Sequence, residues 1–534
     1  VLAWCLAIAA VLLGGFRRDA RGPVSAWEIA VAAVLTVAAF LLRGLGLEQL
    51  PATLSGDEAS AGLEAVRFVQ GEANNLFGIG WFSFPSFYFA LQGAPVALLG
   101  QSATALRITS AVAGSLTVFA VYWLARSLFG RVAALLAALF LLASHYHIHF
   151  SRIGLQNIWD GFFLAVVLWG MWTGWKEGRR LPFLIAGFAL GLGHYFYVSI
   201  RVAPLLLLVW AGFARLFQGS RLRARLPGML LAAYTAAIVY LPLALLYWRQ
   251  PDEFFAPMRR VSVFNGWLEA EIARLGQPAW EIIASQMAAT AMGIIHLPLR
   301  HWYNPGAPLL LPLAAALFVA GLAWLFYRAD LRSLLLLLVL FVLVLLGGFS
   351  LDAPASQRFA IAMPVIALVV ALPLAQGVAW LGPYLTRARW LAPALAIVLM
   401  ALVAQRDLAY YFFDVYDGYV LGGYNTETAT AIGRYLEDEP AHSVYFFGPP
   451  RMGYTSLSTI PYLAPQMEGN DVAVPLDGPA PWVLDRPTLF VFLPERVSEL
   501  EHVRAAYPGG RYEQVWRAGG DGSQPLFSIY EVIP

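Results

Sequence analysis

Ser55-Gly56-Asp57-Glu58-Ala59-Ser60 places two adjacent carboxylates directly after an apolar run, residues 29–47, that is long enough to cross a bilayer. Ionisable groups at membrane level are costly unless they face water, a cation or a substrate, so such a pair marks a functional site by default. The chemistry open to a carboxylate held there is proton transfer. A second acid beside it pushes one pKa upward, which suits a base. The plainer reading is an acidic helix start, with Asp57 as N-cap and Glu58 in the first turn. The two readings are compatible, since a capping position also fixes a side chain in space.

Other candidates are scattered along the chain. Asp160 stands at the start of a later apolar run. Before it comes His145-Tyr146-His147-Ile148-His149-Phe150-Ser151-Arg152. On a helix, residues i and i+2 do not share a face, so at most His145 and His149 could chelate one ion. Interfacial histidines solvating a helix end are the simpler expectation. Arg152 could pair with Asp160 or Asp57, meet a phosphate, or snorkel to the interface. Arg259-Arg260 and Arg300-His301 share one long loop, and Gln357-Arg358 opens a later span. Each is a candidate phosphate contact weighed against an ordinary solvated cation. Arg358 leads, because an arginine on the outer side is disfavoured without an anionic partner.

The elements that must position these groups follow from composition. The chain has 534 residues, 59% hydrophobic and only 13% charged, against about 25% charged for a soluble domain. That marks a polytopic membrane protein. The net charge of +2 carries no nucleic-acid signal, and the single cysteine, Cys5, excludes an internal disulfide and argues against a cysteine metal site. No Asn-x-Ser/Thr acceptor occurs, which leans towards a prokaryotic source. The first apolar run has no charged segment before it and reads as a helix cut at its start rather than a signal peptide.

Apolar stretches near 1–15, 26–46, 104–124, 132–148, 160–176, 181–197, 200–216, 227–247, 307–327, 333–349, 358–380 and 390–406 give about 12 expected spans. A further stretch, 84–99, is ambiguous. If it does not cross, Arg17, Arg18 and Arg21 share one side with the basic loops at 126–131, 176–180, 221–225, 328–332 and 387–389. That is the arrangement in which short basic loops face the cytoplasm. Residues 84–99 are therefore expected to be re-entrant or interfacial. Outer loops 45–103, 149–160 and 248–305 then face the other way, with Asp57, Asp160 and the loop cations expected to meet at one outer surface. After residue 406 the apolar runs shorten to strand length, at 444–447, 488–493, 514–517 and 526–532, with helical patterns at 426–437 and 495–506. The expected organisation is a transmembrane domain, 1–406, and a soluble extracytoplasmic α/β domain, 407–534, used for acceptor docking or for covering the outer loops.

Taken together the pattern resembles the GT-C glycosyltransferases that use polyprenyl-phosphate sugars, nearest the bacterial protein O-mannosyltransferase and aminoarabinose-transferase branch. The matching pieces are Asp57-Glu58, then Ala105-Leu106-Arg107, Leu128-Phe129-Gly130-Arg131, Ser151-Arg152 and the second acid Asp160. They continue with Gly193-His194-Tyr195-Phe196-Tyr197, Arg201 and Gln357-Arg358-Phe359. The resemblance implies a mostly α polytopic helical bundle in the cell membrane. It also implies sugar transfer with inversion to a protein, lipid or glycan acceptor, the sugar most often being a hexose. It casts Asp57 as general base, with Glu58 and Asp160 orienting the acceptor or tuning it. Arg358, Arg300, His301, Arg152, Arg259 and Arg260 become candidates for the donor phosphate. Where some members have a Lys or His-rich donor site, this chain has Arg259-Arg260 and Arg300-His301. No metal ligand set is implied, and a divalent cation stays an open alternative. Aromatic stretches 81–89 and 194–197 would wall a groove for the lipid.

Two other classes compete. A transporter or lipid-linked-sugar flippase would use similar grooves, but it tends to carry mid-span charges on broken helices in repeated halves; here mid-span charges are few and no repeated halves occur. A structural or assembly protein would not need acids and arginines converging on one face.

Overall fold

The computed structural model describes residues 2–16, 25–385, 387–415, 421–517 and 525–534. Arg17, Arg18 and Arg21 lie outside the described residues. All twelve expected apolar stretches are helical at their centres. Among the described residues seven helices are long and apolar enough to cross a bilayer: Ala26–Gly44, Ala103–Phe129, Val198–Phe217, Gly219–Arg249, Leu331–Gly348, Ser356–Leu381 and Leu391–Val415. An eighth forms if Arg131–Ala143 and His145–Ser151, bent by 62° to each other, count as one broken span. The helix at Ser86–Leu99 has 14 residues, about 21 Å at 1.5 Å per residue, short of the ~30 Å hydrocarbon layer.

The chain divides into two compact units. The first comprises Val1–Leu47, Asn74–Leu91 and Arg107–Tyr419, and holds most of the helices. Its helices approach closely where glycines remove side chains. A Cβ on Gly321, in helix Pro312–Arg328, would lie 2.0 Å from the Val369 carbonyl oxygen of helix Met363–Leu381. Gly321→Ala should therefore force these two helices apart, at a cost of about 1–3 kcal/mol or more. The expected result is a lowered thermal midpoint and a loss of monodisperse protein on size-exclusion chromatography.

The second unit comprises Glu48–Ala73, Gln92–Leu106 and Val420–Pro534. It contains the acid-bearing segment as well as the tail. Its sheet has order β2-β1-β3-β5-β4, with β1 at Ser443–Phe447, β2 at Glu468–Asp471, β3 at Thr488–Phe492, β4 at Arg511–Val515 and β5 at Phe527–Val532. β1 runs parallel to both β2 and β3, while β5 pairs antiparallel with β3 and β4. β3 is buried along its whole length, which explains its unbroken apolar run. β2 was invisible in sequence because Glu468-Gly469-Asn470-Asp471 is an exposed edge strand without apolar alternation. β4 starts three residues earlier than the apolar pattern placed it.

The same unit locks the segment Glu48–Ala73 to the tail. Leu54 N–H donates to Thr430 Oγ1 at 3.1 Å, Thr53 Oγ1 to the Leu421 carbonyl at 3.0 Å, and Thr459 Oγ1 to the Leu54 carbonyl at 3.1 Å. Leu54, Ala59, Ala65, Val96, Leu106, Tyr462 and Leu463 form one apolar cluster beneath these bonds. Gly62 is required there, because a Cβ would sit 2.6 Å from the Tyr462 ring.

Candidate active site

Asp57 and Glu58 belong to the second unit, and Asp160 and the six candidate cations to the first. The acids sit in the first turn of helix Gly56–Val69. The N-cap is Ser55, correcting the expectation that Asp57 fills that position. Ser55 Oγ accepts from Glu58 N–H at 3.2 Å, and Glu58 Oε2 accepts from Ser55 N–H at 3.1 Å. This reciprocal capping box satisfies two helix-end donors at once, and the S-x-x-E spacing announced it in the sequence. Glu58 is thereby buried and held.

The carboxyl of Asp57, one residue earlier, accepts no hydrogen bond among the described residues. Burial, reinforced by the Glu58 charge, pushes its pKa up to about 6. Of the two adjacent acids, one is spent on the cap and the carboxyl of the other has no hydrogen-bond partner among the described residues. Ser55→Ala should cost about 1 kcal/mol through the lost cap. Loosening the turn that carries Asp57 should lower any Asp57-dependent activity further than the small fall in thermal midpoint would suggest.

In the first unit the candidate cations separate into two kinds. Arg152 is buried and donates to the carbonyls of Leu42, Arg43, Leu45 and Gly46 at 2.8–3.1 Å. It thus closes the C-terminal end of helix Ala26–Gly44, where orphan carbonyls need partners. Arg259 pairs with exposed Asp252 at 3.1 Å. Arg260 donates to the Phe82 carbonyl at 2.9 Å and lies 4.2 Å from the Phe82 ring centroid. His301 Nε2 meets Asp352 Oδ2 at 2.7 Å.

Arg300 and Arg358 are different. Neither guanidinium has a hydrogen-bond or ion-pair partner among the described residues, and the buried Arg358 Nε is an orphan donor. Each lines a cavity. Arg358 lines a small one of about 40 Å³, walled by apolar side chains including Leu164, Leu206, Val339 and Leu343, with Ser199 also on the wall. Arg300 lines one of about 430 Å³.

Asp160 is fully buried in the first turn of helix Asn157–Glu177. Its Oδ2 accepts from Ile200 N–H at 3.0 Å, while Oδ1 has no hydrogen-bond partner among the described residues. The bonded neighbour belongs to the short turn Val198–Val202, which also supplies Ser199 and Val202 to the Arg358 cavity.

The three histidines are not interfacial; none is more than 1% exposed. His147 Nδ1 lies 3.0 Å from Arg43 Nη2, His145 Nδ1 2.9 Å from Tyr303 Oη, and His149 stacks on the Tyr303 ring at 4.2 Å. They bind the broken helix 145–151 into the core. Among the described residues no three His, Cys, Asp or Glu side chains cluster as metal ligands. Arg43, which also donates to Ser151 Oγ and the carbonyls of Ala39, Leu141 and Leu142, went unnoticed in sequence. A lone arginine near a span end gives no sign that it will be buried.

The two aromatic stretches meet each other. Phe82 and Phe84 stack at 5.5 Å, Phe84 meets Tyr197 at 5.6 Å, and Phe87 meets Tyr195 at 5.7 Å. Phe82 and Ser83 both adopt left-handed backbone conformations, with φ of 56° and 58°. Such strain in non-glycine residues concentrates at functional sites.

Comparison with known proteins gives this geometry a setting. Residues 84–248 match the family described as dolichyl-phosphate-mannose-protein mannosyltransferase, a segment that includes Asp160 but neither Asp57 nor Arg358. No curated protein matches the chain by sequence. Among solved structures it is similar to ArnT from Cupriavidus metallidurans bound to undecaprenyl phosphate, with a TM-score of 0.53 and 16% identity, covering 95% of this chain and 98% of that one. It is also similar to the archaeal oligosaccharyltransferase AglB from Archaeoglobus fulgidus, in complex with an inhibitory peptide and a dolichol-phosphate. There the TM-score is 0.52 with 16% identity, over 84% of this chain and 64% of that one. The chain is a multi-pass membrane protein with the GT-C glycosyltransferase fold.

Proposed function

We propose that this protein transfers a sugar, a hexose as first choice, from a polyprenyl-phosphate donor to an acceptor hydroxyl or amine on the extracytoplasmic side of the cell membrane, with inversion. The soluble tail lies on that side. The observation that carries the reading is Arg358, a guanidinium with no partner among the described residues, lining an apolar cavity among membrane helices. A lipid phosphate has the matching chemistry, a charged head on an apolar chain. The fold agrees, since the similar ArnT and AglB structures hold undecaprenyl phosphate and dolichol-phosphate.

Asp57 takes the acceptor's proton as the acceptor oxygen or nitrogen bonds to the anomeric carbon. The bond from that carbon to the phosphate oxygen breaks, and its electron pair leaves with the polyprenyl phosphate. Arg358 stabilises the charge that develops there. Glu58 fixes the turn that presents Asp57. Asp160, with one oxygen held by Ile200 N–H, is a positioning residue for the Val198–Val202 turn.

The test is transfer of radiolabel from polyprenyl-phosphate sugars in membranes containing the protein, with membranes lacking it as reference. Labelled acceptor is the expected product. Absence of transfer with every sugar-lipid donor, alongside movement of the donor between leaflets, would replace this reading with that of a flippase.

A further inference from the structure

We infer that Tyr146 is a positioning residue for Arg358, holding the turn that carries the guanidinium, and that Asp407 secures the helix from which Tyr146 reaches it. This rests on the transfer reading only where Arg358 meets the donor phosphate.

Arg358 stands on the short turn Ser356–Arg358, which has no side-chain cap. One turn of helix cannot fix itself, because closing it orders more backbone than its single hydrogen bond repays. The hold comes instead through Ser356, which is fully buried. Its N–H donates to the Arg300 carbonyl at 3.0 Å, and its Oγ accepts from Tyr303 N–H at 2.9 Å. Its carbonyl accepts from Tyr146 Oη at 2.6 Å, across 210 residues of sequence. The two side chains that follow are left unsatisfied. Gln357 Oε1 and Arg358 Nε are buried without hydrogen-bond partners among the described residues. Residue 356 thus serves as the anchor of the turn, and the side chains at 357 and 358 are what it presents.

A buried tyrosine hydroxyl needs an acceptor, and Tyr146 takes the carbonyl that opens the Arg358 turn. Tyr146 is itself held in place. Every residue of helix His145–Ser151 is buried, and the Tyr146 ring lies 4.7 Å from Phe150 and 6.2 Å from Tyr303. That helix is bent by 62° from Arg131–Ala143, so its direction is set by what it packs on. At its first residue, His145 N–H donates to Asp407 Oδ1 at 3.2 Å, and Asp407 belongs to the span Leu391–Val415. His145 Nδ1 also lies 2.9 Å from Tyr303 Oη, so Tyr303 touches both the helix and Ser356. Asp407 is 2% exposed, and its Oδ2 has no hydrogen-bond partner among the described residues. Burying a carboxyl this way is costly. Its one bond, to the start of the Tyr146 helix, is what the cost supports.

Hydrogen exchange of the full chain in nanodiscs, read by peptide mass spectrometry, tests the hold without a ligand. Tyr146→Phe removes one hydroxyl and keeps the ring. It should speed exchange in the peptide containing residues 356–359 about three- to tenfold, the worth of one hydrogen bond, and leave helix Pro251–Arg259 unchanged. Asp407→Asn keeps an acceptor for His145 N–H and should match wild type, whereas Asp407→Leu should speed exchange in the same peptide. Binding of undecaprenyl phosphate then tests the route. Tyr146→Phe should weaken it by a similar factor in the wild-type background and not at all beside Arg358→Gln, because residues acting through one another are not additive. Unchanged exchange at 356–359, an equal rise in every peptide, or equal weakening in both backgrounds overturns the proposal. Indistinguishable Asn and Leu variants at position 407 overturn its Asp407 half. Undiminished binding by Arg358→Gln alone removes the donor-phosphate reading instead, and the exchange result still decides whether Tyr146 holds the turn.

Discussion

Asp57→Asn should reduce sugar transfer by roughly 10²–10⁴-fold, the usual worth of a positioned general base, while leaving a folded protein. The fold survives because the Asp57 carboxyl supports no hydrogen bond among the described residues, whereas the cap runs through Ser55 and Glu58. Wild-type transfer should rise with pH through about 6, where Asp57 loses its proton, and level off above. The stability effect has the opposite sign. Burial raises the folded-state pKa from the ordinary 3.8 to about 6, so the charged form is penalised in the folded protein. Stability contributed by this group is therefore greatest below 3.8 and falls as pH rises through 6. Asn is neutral at every pH, so the variant should unfold at a slightly higher temperature than wild type above pH 6, with the difference vanishing towards pH 4. Transfer assays and thermal melts at matched pH check both halves. Undiminished transfer by the variant would remove Asp57 from the chemistry.

Arg358→Gln should have the second largest effect, lowering kcat by roughly 10²–10³-fold and raising the KM for the donor. The guanidinium lines an apolar cavity with no counterion among the described residues, so its field is screened little by water, and the loss should depend only weakly on salt. Arg358→Lys should recover part of the activity, because an ammonium supplies charge but not the planar fork. Steady-state kinetics with varied donor in nanodiscs separate the two parameters. A variant with both unchanged would show that Arg358 is a structural side chain and shift the donor phosphate elsewhere.

Much of the architecture is written in local composition. Runs of apolar residues, interrupted by short basic loops, fix which segments become membrane helices, because hydrocarbon demands that each backbone satisfy its own hydrogen bonds. The acids at 57 and 58 stood out for the same local reason, and Ser55-x-x-Glu58 carried the capping box in four residues. Strands β1, β3 and β5 were legible because each is a short apolar run buried in the sheet, while the exposed β2 was not.

What only the tertiary structure decided is which charges are spoken for. Arg152 and Arg358 are equivalent as letters near helix ends, yet one is taken by four carbonyls more than 100 residues away and the other has no partner among the described residues. The three histidines read as surface groups and became core, because Arg43 and Tyr303 arrive from segments distant in sequence. The helix bearing Asp57 belongs with the tail through bonds such as Leu54 to Thr430, 376 residues apart. Helix and strand signals arise from neighbours along the chain. The partnering of a charge, and the burial that sets its pKa, arise from neighbours in space.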